Sequence, residues 1–176
     1  VGRPSKKTVV EVCRSIEANR WMREGILQAG VHVVGSWRWL HPGGQENSIH
    51  FDVRTLDLTQ PQLRLTYAWS NARTGEEGTA DYPVGLVATR PAFGGLRWWF
   101  VCPLVINGVP CTRRVGKLYL PPDARYFGCR HCHQLTYTSC QESRQYDSLS
   151  RYLARELGKD FATVKRLMAR IAKRKR

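Results

Sequence analysis

The sequence predicts an α+β protein: an antiparallel β-domain with an N-terminal helix before it and a C-terminal helix pair after it. Three observations carry that expectation. From Val31 to about Phe100 the apolar residues alternate with polar ones in short runs separated by turn-forming clusters. On either side, after Thr8 and after Ser139, the apolar spacing becomes helical. Between the strand-like region and the second helical region stand Cys102, Cys111, Cys129 and Cys132, each in a short loop flanked by strand-like residues.

The first element follows a polar, cationic opening, Gly2-Arg3-Pro4-Ser5-Lys6-Lys7. Thr8 and Glu11 have the spacing of a capping box, and Val9, Val12, Cys13, Ile16 and Trp21 fall on one helical stripe that ends near Gly25. Cys13 reads as a small apolar core residue on that stripe. Strands are expected at 31–40, 48–54, 63–69, 82–89 and 96–101, with turns at 41–44, 59–61, 72–78 and 91–95. Their regular spacing points to an antiparallel sheet, as a small sandwich or an open barrel. Trp37, Trp39, Tyr67, Trp69, Trp98 and Trp99 alternate through it. Core and cross-strand packing accounts for most of them, with base stacking by one or two as the alternative.

Cys129 and Cys132 form a C-x-x-C knuckle, a loop that presents two thiolates to one ion. Cys102 and Cys111 are farther apart, but the insert between them contains Asn107-Gly108, a strong hairpin turn that brings both thiols back together. Four thiolates suit tetrahedral Zn²⁺ and leave no open position, so the expected site is structural, a zinc ribbon. Four buried free thiols are the alternative, and His131 or His133, with Cys140 more remote, are the substitute ligands. Strands are expected to follow the cysteine loops, at 114–120 and 134–138.

After Ser139, whose spacing to Glu142 fits a second capping box, Leu149, Tyr152, Leu153 and Leu157 make one helical stripe. Phe161, Val164, Leu167, Met168 and Ile171 make another, with Gly158 as the turn and Asp160 as N-cap. The small Ala154 permits close helix approach, so the pair is helix-turn-helix-like, and Lys165, Arg166 and Arg170 would project from the second helix. Lys159 stands where an apolar residue normally plugs such a corner. A terminal helix pair with a solvated basic face is the plainer reading. The resulting segments are 1–30 (basic arm and helix), 31–101 (β-domain), 102–140 (zinc ribbon) and 141–176 (basic helices).

The net charge is +14, and its distribution points to a partner. Residues 151–176 hold ten Lys/Arg against Glu156 and Asp160, and Arg3, Lys6 and Lys7 add three charges at the other end, so the body between is nearly neutral. Basic ends on a neutral body suit a polyanion. Nucleic acid is expected, duplex DNA ahead of RNA, with Arg3, Lys6, Lys7, Arg113, Arg114, Lys117, Arg130, Lys165, Arg166, Arg170, Lys173 and Arg174 as contacts. Gly2-Arg3-Pro4 has the core of an AT-hook, with a solubilising end as the alternative. No apolar run is long enough to span a bilayer, and no leader-type segment opens the sequence, so a cytoplasmic location with reduced thiols is the default. No P-loop, dinucleotide fingerprint or nucleophile elbow is present, and no catalytic residues are assigned. Asp52, Asp57 and His50 could form a metal-dependent nuclease cluster, although alternating surface positions explain them more simply.

The stretches Arg97-Trp98-Trp99-Phe100-Val101-Cys102-Pro103, Arg113 to Pro122, and Arg125-Tyr126-Phe127-Gly128-Cys129-Arg130-His131-Cys132-His133 through Ser143 resemble a group of uncharacterised bacterial zinc-ribbon-like proteins. Gly2-Arg3-Pro4 and Trp21-Met22-Arg23-Glu24-Gly25 fit the same group. The resemblance covers most of the chain and implies one architecture without implying an activity. The expected function is non-enzymatic DNA binding, as a regulator or an accessory factor of a mobile element or phage. The alternatives are an RNA-binding or protein-interaction subunit of a nucleoprotein complex and, behind it, a nuclease.

Overall fold

The computed structural model describes residues 7–40, 46–71, 74–144 and 147–174, and side chains at 142–144, 148 and 172–174 are outside the description. The chain divides into two compact units, 1–135 and 136–176.

The first unit is built on one six-stranded antiparallel sheet rather than the two facing sheets of a sandwich. Its strands are β2 (His32–Leu40), β3 (Glu46–Arg54), β4 (Gln62–Ser70), β5 (Glu77–Thr89), β6 (Arg97–Val101) and β9 (Arg114–Val115), in that spatial order. The alternation seen in the sequence sets which face is buried. Trp37 pairs with Ile49, Phe51 with Leu65, and Leu63 with Val84, all on the covered face, while His50, Arg64 and Asp81 point to solvent. Register follows from that contrast, because a one-residue slip would expose the entire apolar set.

The N-terminal helix is much shorter than its apolar stripe predicted. Val10–Val12 is a single 3-10 turn with Val9 at its N-cap and no side-chain cap bond, Arg14–Glu17 is a strand (β1), and only Ala18–Arg23 is helical (α1). The physical reason is a partner far along the chain. β1 pairs antiparallel with β10 (Lys117–Leu120), setting Ile16 opposite Leu118, and both side chains are fully buried. Cys13 is half-buried and donates to the Val9 carbonyl at 3.3 Å, and burial, with the Glu11 carboxylate adding to it, pushes its thiol up to about 11. α1 plugs the sheet: Trp21 is completely buried, with ring centroids 5.1 Å from Phe51 and 5.6 Å from Phe100. Full burial of one such side chain is worth about 1.5–3 kcal/mol.

Two strand expectations change around the cysteines. The run 114–120 breaks at Gly116, so that β9 joins β6 and β10 joins β1. Residues 134–138 are not a strand. The knuckle's turn continues to Gln134, which has φ 51°, and helix α2 (Thr138–Arg144) begins shortly after. Ser139 therefore lies inside that helix and not at its cap.

The second unit holds α2, α3 (Asp147–Glu156) and α4 (Phe161–Arg174). Gly158, at φ 58°, ends α3, and the Thr163 N–H donates to Asp160 Oδ1 at 2.9 Å, as an N-cap should. The Thr163 hydroxyl and N–H hold the Asp160 carboxyl below its usual range. Ala154, Val164 and Ser150 are buried between the helices. Much of the expected stripes is not sealed: Leu149, Tyr152, Leu157, Leu167 and Ile171 are exposed, and Leu153, Phe161 and Met168 are half-buried. Two helices in contact cover only the narrow seam of small residues between them.

Candidate metal centre

Strand β6 delivers Cys102 directly from its C-terminal end, and β9 begins just after Cys111. The Cys102 N–H donates to the Arg113 carbonyl at 2.9 Å, which extends the β6–β9 ladder into the site. The segment between the two cysteines folds as predicted. β7 (Val105–Ile106) and β8 (Val109–Pro110) pair around Asn107-Gly108, whose φ angles of 51° and 78° belong to a type I′ turn. The Cys111 N–H closes the hairpin's base on the Leu104 carbonyl at 2.9 Å. A separation that looked wide in sequence is therefore short in space.

The knuckle arrives from the other side. Gly128 pairs with Tyr119, fixing the loop to β10, and bonds from His133 and Leu135 back to Cys129 and Arg130 curl it tightly. Gly128 is required there, because a Cβ would overlap the Leu104 side chain and stand 2.9 Å from His133 Nε2. All four sulfurs consequently lie within 4.8 Å of one another, and Cys102–Cys132 and Cys111–Cys129 are each 3.9 Å apart. A tetrahedral ion with metal–sulfur bonds of ~2.3 Å needs sulfurs ~3.8 Å apart, so the geometry fits such an ion. It is the one cluster of potential metal ligands among the described residues.

The surroundings favour thiolate at one of the four. Burial opposes ionisation of Cys129, but hydrogen bonds from the Cys132 N–H, the Cys132 side chain, the His131 N–H and the Cys102 side chain together outweigh it, bringing its thiol down to about 7. Burial raises Cys102 and Cys132, as expected where neighbouring thiols cannot all ionise without a cation. Arg113 Nη1 lies 3.9 Å from Cys129 Sγ and adds positive charge. The substitute ligands stay outside the cluster. His131 is exposed, and Cys140 is exposed in α2. His133 is turned beneath Gly128, where burial lowers its basicity and Nε2 has no hydrogen-bond partner among the described residues.

The expected nucleic-acid contacts are scattered over both units. Arg3 and Lys6 lie outside the described residues, and Lys7 is exposed. Arg114, in β9, and Arg113 just before it are exposed where the chain leaves the cysteine site. Arg130 is half-buried in the knuckle, and Lys117 pairs with Glu17. In α4, Arg166 and Arg170 are exposed, whereas Lys165 pairs with Asp147 at 2.6 Å. Lys173 and Arg174 belong to α4, but their side chains are outside the description.

The tryptophans sort by position. Trp37 and Trp98 are buried. Trp39 is stacked on Phe127, and Trp69 and Trp99 each carry a guanidinium, from Arg125 at 5.1 Å and Arg97 at 4.2 Å. On the solvent face Asp52 is engaged by Arg54 at 2.8 Å and His32 at 3.0 Å, which hold its carboxyl below the usual range. His50 bonds Ser36, and Asp57 bonds Thr59.

Sequence reasoning missed Arg113 as a neighbour of Cys129, and it missed the packing role of Gly128. The glycine immediately before the knuckle was the available signal. Together, fold and site define a small α+β protein with a preformed four-thiol cluster. Protein-family models, curated proteins and solved structures give no match to this chain.

Proposed function

We propose that the chain is a non-enzymatic DNA-binding protein in which Zn²⁺ on Cys102, Cys111, Cys129 and Cys132 is a structural staple. On this reading it belongs to the bacterial zinc-ribbon-like group it resembles and serves as a regulator or an accessory factor of a mobile element or phage. Segregated charge is the observation that supports DNA binding. Ten Lys/Arg are concentrated in 151–176, and exposed Arg166 and Arg170 lie one turn apart on α4. The metal reading rests on four sulfurs that lie within 4.8 Å of one another, two pairs of them at 3.9 Å. Four thiolates saturate the ion, so the centre holds loops in place and offers no site for a reacting water.

The test is electrophoretic binding of duplex DNA, single strands and structured RNA across a range of salt. Duplex binding that weakens steeply with salt is expected, and absence of such binding at low ionic strength defeats the reading. A second reading, a protein-interaction subunit of a nucleoprotein complex, is favoured by the exposed Leu149, Tyr152, Leu157, Leu167 and Ile171. Preference for structured RNA, or binding only with a protein partner present, would select it.

A further inference from the structure

The β7/β8 hairpin is built in a way that metal binding does not explain. Two cysteines can be brought together by a two-residue loop, yet this chain inserts a ribbon whose side chains face solvent. Val105, Ile106 and Val109 are 58%, 46% and 67% exposed. The pairs Val105–Pro110 and Ile106–Val109 put apolar groups on opposite faces of the ribbon, so neither face is a polar exterior. Its tip is set by the Asn107-Gly108 turn, with an exposed amide at Asn107. Its base is clamped by the Cys111–Leu104 bond and by the convergence of the cysteines.

The charge at that base identifies the occupant. From Cys102 to Gly116 the chain has two cationic residues, Arg113 and Arg114, and no acid. Arg113 and Arg114 leave the hairpin directly, and Arg114 is exposed and forms no ion pair among the described residues. An exposed finger carrying methyl-bearing side chains and an amide, with arginines at its base, complements a groove whose floor presents methyls and hydrogen-bonding base edges between two anionic backbones, which is duplex DNA. Size chooses the groove. Two strands ~4.8 Å apart, with side chains on both faces, fit a groove ~12 Å wide and not one of ~6 Å. In the major groove thymine presents a methyl to apolar side chains, and adenine presents the donor–acceptor pair that an asparagine amide matches.

We propose that the 105–110 hairpin is a β-ribbon reader that enters the major groove of duplex DNA at A·T pairs. Ile106 and Val109 meet thymine methyls, Asn107 meets adenine, and Arg113 and Arg114 hold the flanking phosphates. The inference rests on the DNA-binding reading above.

The experiment uses the full chain and an A·T-containing duplex, beside the same duplex with uracil in place of thymine, which removes only the methyls. Wild-type affinity is expected to fall about fourfold per contacted methyl on the uracil duplex. The double variant Ile106→Ser/Val109→Ser should show the weaker affinity on the thymine duplex and no further loss on uracil. Asn107→Gly keeps a competent turn and should lose preference for A·T over G·C pairs. Unchanged metal content in each variant shows that the site still folds. Wild-type binding that ignores the thymine methyl, or variants that respond to uracil as wild type does, would overturn the reader while leaving DNA binding intact. Failure of the wild-type chain to bind any duplex would overturn both.

Discussion

The backbone N–H of Cys129 donates to Sγ of Cys102 across 3.2 Å, tying the knuckle to the end of β6 over 27 residues of sequence. That bond sets the two halves of the thiol cluster in register independently of any ion. It also stabilises negative charge on Cys102, as N–H donation to a thiolate does. The cluster is thus organised by β6, β10 and the hairpin before a metal is considered.

The purified chain is expected to hold a single Zn²⁺ per molecule. Cys102→Ser or Cys129→Ser should abolish stoichiometric metal and destabilise the first unit by several kcal/mol, the order expected when metal binding is coupled to folding. Elemental analysis, beside thermal unfolding with and without a chelator, measures both effects. Cys140→Ser, at an exposed position in α2, should change neither.

Gly128→Ala should cost about 1–3 kcal/mol, because its new methyl overlaps Leu104 in a packed site. Leu104→Ala in the same chain makes room and should recover part of that loss. Denaturant midpoints of the two single variants and the double variant give the coupling directly.

A buried phenol pair predicts a loss of stability in alkali. Tyr67 donates to the Arg125 carbonyl at 2.8 Å, its oxygen is 3.1 Å from the Tyr82 hydroxyl, and the Phe127 N–H donates to Tyr82 at 2.9 Å. Burial pushes Tyr67 up to about 12, the bond to Tyr82 opposing it, and pushes Tyr82 higher still. A folded pKa above the unfolded value of about 10 favours the protonated form, so the contribution is complete below that pH and is lost as pH climbs toward 12. Stability between those values should fall more steeply in wild type than in Tyr67→Phe. Tyr82→Phe leaves the Phe127 N–H without its acceptor and should cost about 1–3 kcal/mol at neutral pH.

On the DNA-binding reading, Arg166→Gln with Arg170→Gln should flatten the dependence of log affinity on log salt by about 2, close to 0.9 per lost phosphate contact. Binding isotherms over a salt series measure the slope. An unchanged slope would remove α4 from the interface.

The strands of the main sheet were legible because alternation reports a buried and a solvated face directly. The hairpin at Asn107-Gly108 was legible because few sequences suit a type I′ turn. Arg14–Glu17 misled because Val9, Val12, Cys13 and Ile16 have helical spacing, while the strand partner that captures Ile16 lies at Leu118. Residues 134–138 misled for a related reason: their apolar alternation is genuine, but the knuckle's backward hydrogen bonds hold the chain in a turn through Gln134. The C-terminal stripes showed where helices form without showing how little a seam of Ala154 and Val164 can cover.

By itself, the sequence determined the α+β class, the alternation of the sheet, the Asn107-Gly108 turn, the identity of the four thiols and the segregation of charge. These depend on residues within a few positions of one another, or on composition alone. Tertiary structure decided that Arg14–Glu17 becomes a strand, that Cys102 and Cys111 meet Cys129 and Cys132 with their sulfurs within 4.8 Å, and that Arg113 faces a sulfur. Each of those is a contact between residues far apart in the chain, set by which buried surfaces fit together, and local periodicity carries no record of that choice.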